Sequence, residues 1–353
     1  MSRDFRSEEP LHPKALELLS EFFNEGWVDP TKLHHQSRRL NILVTQAKED
    51  IAQALGTKAD ELEFVGELGF GYWSAIAGAL SNRPRTFFYS KIDRQIVHAF
   101  ARTQLAAGQK TLEMSPGKNG TVDFNGAKPT RNDFLVWQAT NREIGVQQEP
   151  LDSALDPILF ADMTAATPFT SLPARWDVAL FDPRNFRGPA GIAILAISTG
   201  SRWRSPLPPM DQRRVFGSYS LPLLLATAVA LTESVKNRES DLQKLERLNL
   251  DLRNEIARSL PDFQLIKPEG RIDPRYIALG VPNSAGEELL QNMERLGFLI
   301  DAGSACGAGA LSPSHVLDSI GWQGLGHLRL TLKPEHNTSD IAEVIAALKK
   351  AFN

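Results

Sequence analysis

Cysteine is almost absent from this 353-residue chain: Cys306 is the only one. That excludes an intramolecular disulfide framework and any four-cysteine metal site within one chain. No apolar run approaches the roughly 20 residues of a membrane span. The start, MSRDFRSEEPLHP, lacks the apolar stretch of a secretory signal. Neither sign of charge dominates: 39 Lys and Arg stand against 42 Asp and Glu, a formal charge of −3. There is therefore no electrostatic case for nucleic acid or an anionic membrane as partner. Internal repeats and low-complexity blocks are missing too. These absences lead us to expect a cytoplasmic protein. What is present is an ordinary globular balance, 42% hydrophobic and 23% charged, over a length that suits one large domain or a large and a small one.

Periodicity gives the elements. Residues 13 to 25, PKALELLSEFFNE, place apolar side chains at helical spacing after a proline start, and residues 39 to 56 repeat the pattern and stop at a glycine. A strand-like ELEFVG follows, then an apolar helix around Tyr72–Leu80. TFFYS (86–90), DFLVWQA (133–139), PILFADM (157–163), DVALF (177–181) and GIAILAI (191–197) read as short buried strands. Their alternation with helical patterns predicts crossover units around a mostly parallel sheet. One long helix is predicted from Leu221 to Arg253, apolar in its first half and charged in its second. Beyond it a smaller α/β unit is predicted. It has a strand near Tyr276–Gly280, a helix near Gly286–Leu296, a glycine-rich loop at 303–309, a strand near His327–Leu332 and a last helix from Ser339. We expect a large domain over 15–250 and a small one made of 1–14 with 251–353.

Three segments carry a resemblance. Ile300–Leu317 reads IDAGSACGAGALSPSHVL, Val178–Ala196 reads VALFDPRNFRGPAGIAILA, and Asn141–Val146 (NREIGV) goes with Phe160–Thr164 (FADMT). The first resembles the loop that bears the nucleophilic cysteine of cysteine desulfurases, with the short helix after it. The second resembles the strand, cofactor-lysine turn and Gly-Pro-x-Gly return of the same family. The third resembles the strand ends that touch the cofactor ring. The chain is thus similar to the cysteine desulfurase branch of the class V aminotransferases. That resemblance implies the fold of fold-type I pyridoxal-phosphate enzymes: a large domain with a mostly parallel mixed sheet between helices, and a smaller C-terminal α/β domain. It also implies a homodimer, and a chemistry in which a thiolate takes sulfur from cofactor-bound cysteine to leave alanine and a persulfide.

Carried over residue by residue, the resemblance puts Asn185 where the family has its lysine. A carboxamide nitrogen is delocalised into its carbonyl, so it neither adds to an aldehyde nor acts as a base near neutrality, and both are required of that lysine. No lysine occurs between Lys128 and Lys236 to replace it. In the same turn Asp182 and Arg184 stand at serine and histidine positions. Glu67-Leu68-Gly69, which has no hydroxyl, stands where the family has a hydroxyl-bearing phosphate-holding stretch. Arg94 falls on the ring-stacking histidine, Arg142 on a ring-contacting asparagine and Ala165 on a glutamine, while Asp162 retains the aspartate that pairs with the pyridine nitrogen. We expect no bound cofactor. Unpaired buried charges are costly, so one expectation is a plug in which Arg94, Arg142 and Arg184 pair with Asp162, Asp182 and Glu8 or Glu9. The alternative is an arginine-lined pocket for another anion.

Arg329 matches the arginine that grips the substrate carboxylate, with a structural ion pair as the alternative; Asn141 belongs to the same substrate-side set. Cys306 is read either as a persulfide site or as an inherited loop residue. His34-His35 has no evident third metal ligand, and His315 is assigned to the helix after the cysteine loop. No metal is expected. Three functions stay open. One is a non-catalytic scaffold or regulatory partner, paired with itself, a catalytic desulfurase or a sulfur acceptor. Another is a cofactor-free persulfide carrier through Cys306, and the last an active class V enzyme holding pyridoxal phosphate non-covalently.

Overall fold

The structure is a computed structural model; it describes all residues except 1–2, 26–31, 82–83, 209–212, 267–269, 283–285, 303–313, 323–325 and 353. Helix α1 (Pro13–Glu25) begins on its proline, as predicted. Helix α2 (His35–Leu55) begins four residues before the predicted start, because the His34 ring caps it by accepting from the Ser37 N–H; it ends at Gly56, whose φ of 70° is left-handed.

The large sheet is built from β1 (Leu62–Val65), β2 (Phe87–Ser90), β3 (Thr111–Met114), β4 (Phe134–Gln138), β5 (Ile158–Asp162), β6 (Val178–Phe181) and β7 (Ala193–Ile197), in the order β1-β7-β6-β5-β4-β2-β3. Strands β2 to β6 pair in parallel, and β7 runs antiparallel between β6 and β1. This is the predicted mostly parallel, mixed sheet. Its continuous apolar runs have a simple cause: alternate side chains go to opposite layers, and both layers are covered. Along β4, Leu135 and Trp137 join a core shared with α1, α2 and α5 (Leu221–Lys236), whereas Phe134 and Val136 join one shared with α3 (Leu68–Leu80) and α4 (Gln95–Ala106). Each such large side chain contributes about 1.5–3 kcal/mol on burial. On α3, Gly78 lets Trp203 approach: a Cβ there would lie 2.0 Å from the indole Nε1, which donates to the Ser74 carbonyl.

The predicted long helix is two helices. α5 ends at Lys236 and α6 (Arg238–Ser259) begins after Asn237, whose φ and ψ of −97° and −1° break the run. The break separates two destinations. Leu224, Leu225 and Leu231 pack in the first core, and Leu245, Leu248, Leu252 and Ile256 pack in another. The shift in composition along the sequence marks that change of core rather than one continuous rod.

This other core lies on an antiparallel sheet of β8 (Gln264–Leu265), β9 (Tyr276–Val281), β10 (Asp301–Ala302) and β11 (Gly326–Thr331), in the order β10-β11-β9-β8. With it pack α6, α7 (Gly286–Arg295) and α9 (Thr338–Phe352). A short helix α8 (His315–Ser319) precedes β11. Phe5, fully buried, belongs to this core, and Asp4 bridges Leu299. Elements α4, β3, β8 and β10 were not predicted. The edge strand β3 is mostly exposed, and β8 and β10 are too short to show a period.

Candidate functional site at the carboxyl edge of the large sheet

Parallel sheets place ligands beyond the carboxyl ends of their strands. Here those ends deliver Asp93 and Arg94 after β2, the 141–146 turn after β4, Asp162 at the end of β5, and Asp182 to Asn185 after β6.

Asp162 is buried, 1% exposed. Its Oδ2 accepts from the Tyr72 hydroxyl at 2.6 Å, and its Oδ1 from the Thr164 hydroxyl at 2.6 Å and the Thr164 N–H at 3.0 Å. Burial, reinforced by the Asp162 charge, pushes the Tyr72 phenol well above its ordinary value, so it stays a donor.

The turn after β6 is a 3-10 turn over Pro183–Phe186. Asp182, 2% exposed, accepts from the Arg184 Nε at 3.0 Å and its Nη2 at 2.8 Å. That hydrogen-bonded pair raises the affinity of Arg184 for its proton. Asn185, 7% exposed, is engaged at both ends of its amide: Nδ2 donates to the Thr167 carbonyl, and Oδ1 accepts from the Tyr276 hydroxyl at 3.1 Å. Its own carbonyl accepts from Arg275 at 3.2 Å. Arg275 in turn donates to the Ala165 carbonyl at 2.8 Å and pairs with Asp273 at 2.7 Å, both residues buried. On its far side Asn185 borders a cavity of about 240 Å³ lined also by Glu9, Phe169 and Arg275.

Asn141 spends its side chain internally. Its Nδ2 donates to the Ile92 carbonyl and Gln138 Oε1, both at 2.9 Å, while its Oδ1 accepts from the Glu143 and Ile144 N–H groups. It therefore shapes the turn that carries Arg142. Gly145 closes the same turn at φ +73°, and a Cβ there would lie 2.9 Å from the Tyr276 carbonyl.

Of the expected plug, one pair is present, Arg184 with Asp182. Asp162 takes hydroxyl donors instead of an arginine, and Glu9 lies 3.8 Å from Arg187. Among the described residues Arg94 and Arg142 make no side-chain hydrogen bond or ion pair; Arg94 Nη2 and Arg142 Nε are buried without a partner. The Arg94 guanidinium lies 5.9 Å from the Tyr72 ring centre. Arg329 pairs with Asp301 at 3.0 Å across the β10–β11 register, and its Nε is buried without a partner. Cys306 lies outside the described residues.

Glu67 caps α3: its carboxylate accepts from the Phe70 N–H at 3.0 Å. His315 sits on α8, as expected. It donates to the Asp93 carbonyl at 2.8 Å and accepts from Gln95 at 2.8 Å. No group of three or more His, Cys, Asp or Glu arranged to hold a metal occurs among the described residues, and no described helix is long and apolar enough to cross a membrane. Sequence reasoning missed Tyr72, Thr164, Tyr276 and Arg275. Each sits in an apolar or loop stretch where nothing in the spacing marks the polar tip.

No protein-family model matches the chain. It is 23% identical to the cysteine desulfurase IscS of Dictyoglomus turgidum over 90% of its own length and 84% of that protein. It is 24% identical to that of Clostridium botulinum over 98% and 93%. A solved NifS-like protein superposes with a TM-score of 0.85 at 20% identity, covering 100% of this chain and 98% of the other. The architecture is thus that of the fold-type I pyridoxal-phosphate enzymes. In sequence the chain is similar to cysteine desulfurases, and in fold to a NifS-like protein.

Proposed function

We propose that this desulfurase-like protein has lost pyridoxal-phosphate catalysis and acts as a non-catalytic scaffold or regulatory partner in sulfur metabolism. The observation that carries the reading is Asn185, in the turn after β6, with its amide bound at one end to Thr167 and at the other to Tyr276. A lysine there would present a free amine to an aldehyde; this amide has no nucleophilic lone pair and no freedom to move. Two further features support the reading. A phosphate dianion needs free N–H groups at a helix N-terminus, and at α3 the Glu67 carboxylate takes one of them and adds a negative charge. The Arg184 guanidinium, which would offset that charge, is committed to Asp182. On this reading the residues present do not fit the family's cofactor.

We propose a large unit that starts near residue 15 and a small one made of 1–14 with the C-terminal part, the expected boundary at 250 moving back to Asn237. The packing of Phe5 supports the return of the N-terminus to the second core, and the burial of Leu245 and Leu248 there favours a junction at Asn237. We expect a homodimer, or a heterodimer with a catalytic relative.

The test is an assay for alanine release from cysteine by the purified chain with added pyridoxal phosphate. No alanine above the rate of free cofactor is expected. Turnover by the unaltered chain would overturn the reading.

A further inference from the structure

Arg94 and Arg142 are cations of this edge that meet no acceptor among the described residues. Their neighbours are engaged: Arg184 by Asp182, Asp162 by Tyr72 and Thr164, and Arg329 by Asp301, though the Arg329 Nε is also without a partner. Arg94 and Arg142 keep their donors free among the described residues, including Arg94 Nη2 and Arg142 Nε, which are buried away from water. A buried guanidinium N–H without an acceptor costs the desolvation of a charged group. Both residues are only partly buried, so part of each is exposed to solvent.

The two side chains also act on each other. Burial first, then the nearby charges of Arg94 and Arg329, hold Arg142 below its ordinary value, partly offset by Tyr276 and Asp182. Arg94 feels Asp162 and Asp182 as well as Tyr72. An anion between the two arginines would relieve their repulsion and supply the missing acceptors. The same geometry limits its charge. Asp162 and Asp182 are close enough to be felt at Arg94, so a dianion would meet their repulsion more strongly than a singly charged group. The turn that sets Arg142 is held by Asn141 and Gly145, and Arg94 is fixed as the N-cap of α4. The pair is therefore preorganised on the ends of two strands.

We propose that Arg94 and Arg142 form a binding site for a small monocarboxylate, gripped by fork-like guanidinium contacts. This rests on the reading that the site does not hold pyridoxal phosphate, since the ligand would take part of the same space.

The test is isothermal titration of the full chain with pyruvate as probe, and with inorganic phosphate as contrast, at constant ionic strength and pH 8. Pyruvate is expected to bind at one site per chain, and phosphate at least about 10-fold more weakly, because its second charge meets Asp162 and Asp182. Arg94→Met and Arg142→Met should each weaken pyruvate by about 10-fold or more, while Arg184→Met should change it by less than about 3-fold. Without ligand, the Arg94→Met and Arg142→Met proteins should melt no lower than the parent. If either fails to fold, Arg94→Lys and Arg142→Lys, which keep the charge and lose the fork, should still show weakened binding. No pyruvate binding, binding unchanged in the folded variants, or phosphate binding as tightly as pyruvate would overturn the inference. A parallel titration with pyridoxal phosphate separates the two readings. If neither compound binds, only this inference falls; if pyridoxal phosphate binds with a visible band, the proposed function falls.

Discussion

The Tyr276 hydroxyl on β9 donates to the side-chain carbonyl of Asn185 at 3.1 Å, tying the sheet of the second core to the turn after β6 of the first. An amide suits that position in a way an amine does not. It accepts from the phenol with one end and donates to the Thr167 carbonyl with the other. Asn185→Lys would leave the phenol without its acceptor, at a cost of about 1–3 kcal/mol for an unsatisfied buried group. It would leave Glu67, Asp182 and Arg142 as they are. We predict a folded but less stable protein that still releases no alanine from cysteine with added pyridoxal phosphate. Robust alanine release by this single variant would mean that the rest of the pocket is intact.

Arg275 joins the Ala165, Thr167 and Asn185 carbonyls and is balanced by Asp273, which is 0% exposed. Asp273→Asn removes the charge and strands the guanidinium, so stability should fall by about 3–5 kcal/mol. Urea denaturation measures this. A loss under 1 kcal/mol, on the order of an exposed pair, would show that Arg275 is not held as described.

Gly145 stands at φ +73° with the Tyr276 carbonyl beside it. An alanine there takes on left-handed strain of roughly 1–2 kcal/mol and pushes against that carbonyl. Gly145→Ala should therefore lower the midpoint of denaturation, whereas Gly108→Ala, whose Cβ meets nothing within 4 Å at φ +75°, should show the strain alone. Equal effects at the two positions would remove the steric part of the argument.

The alkaline limb of stability follows from the tyrosines. Burial, then the charge of Glu113, pushes Tyr89 from 10.0 up to about 12, and burial places Tyr72 higher still. Both groups hold their protons in the fold at a pH where the unfolded chain has released them. Their contribution is complete below pH 10 and is lost as pH rises toward 12. Denaturant midpoints should be flat from pH 8 to 9 with respect to these groups and fall above 10. Tyr72→Phe should reduce that fall, and an unchanged profile in the variant would contradict the assignment.

The fold was legible because the buried strands of the large sheet announce themselves: β4, β5 and β6 bury every residue and read as unbroken apolar runs. The cap at Gly56 and the proline start of α1 marked their helix ends by local chemistry. The division of the long helix was not legible. Asn237 is a weak helix former, but one such residue does not by itself end a helix, and the two cores that take up α5 and α6 reveal the break. At the site, the charged residues stood out by contrast with a family pattern, but their partners did not. Which carboxylate meets which arginine depends on hydroxyl groups such as those of Tyr72 and Thr164, which satisfy Asp162 first. That choice belongs to the folded geometry and leaves no trace in spacing.

Cofactor retention decides whether this chain holds pyridoxal phosphate. The purified full chain is mixed with pyridoxal phosphate, passed through a desalting column, and its visible absorption and reduced-adduct mass are measured. A colourless protein is expected, with no cofactor joined to any residue of the edge formed by Arg94, Arg142, Asp162 and Asn185. A retained visible band, with the cofactor mapped to that edge, would contradict it.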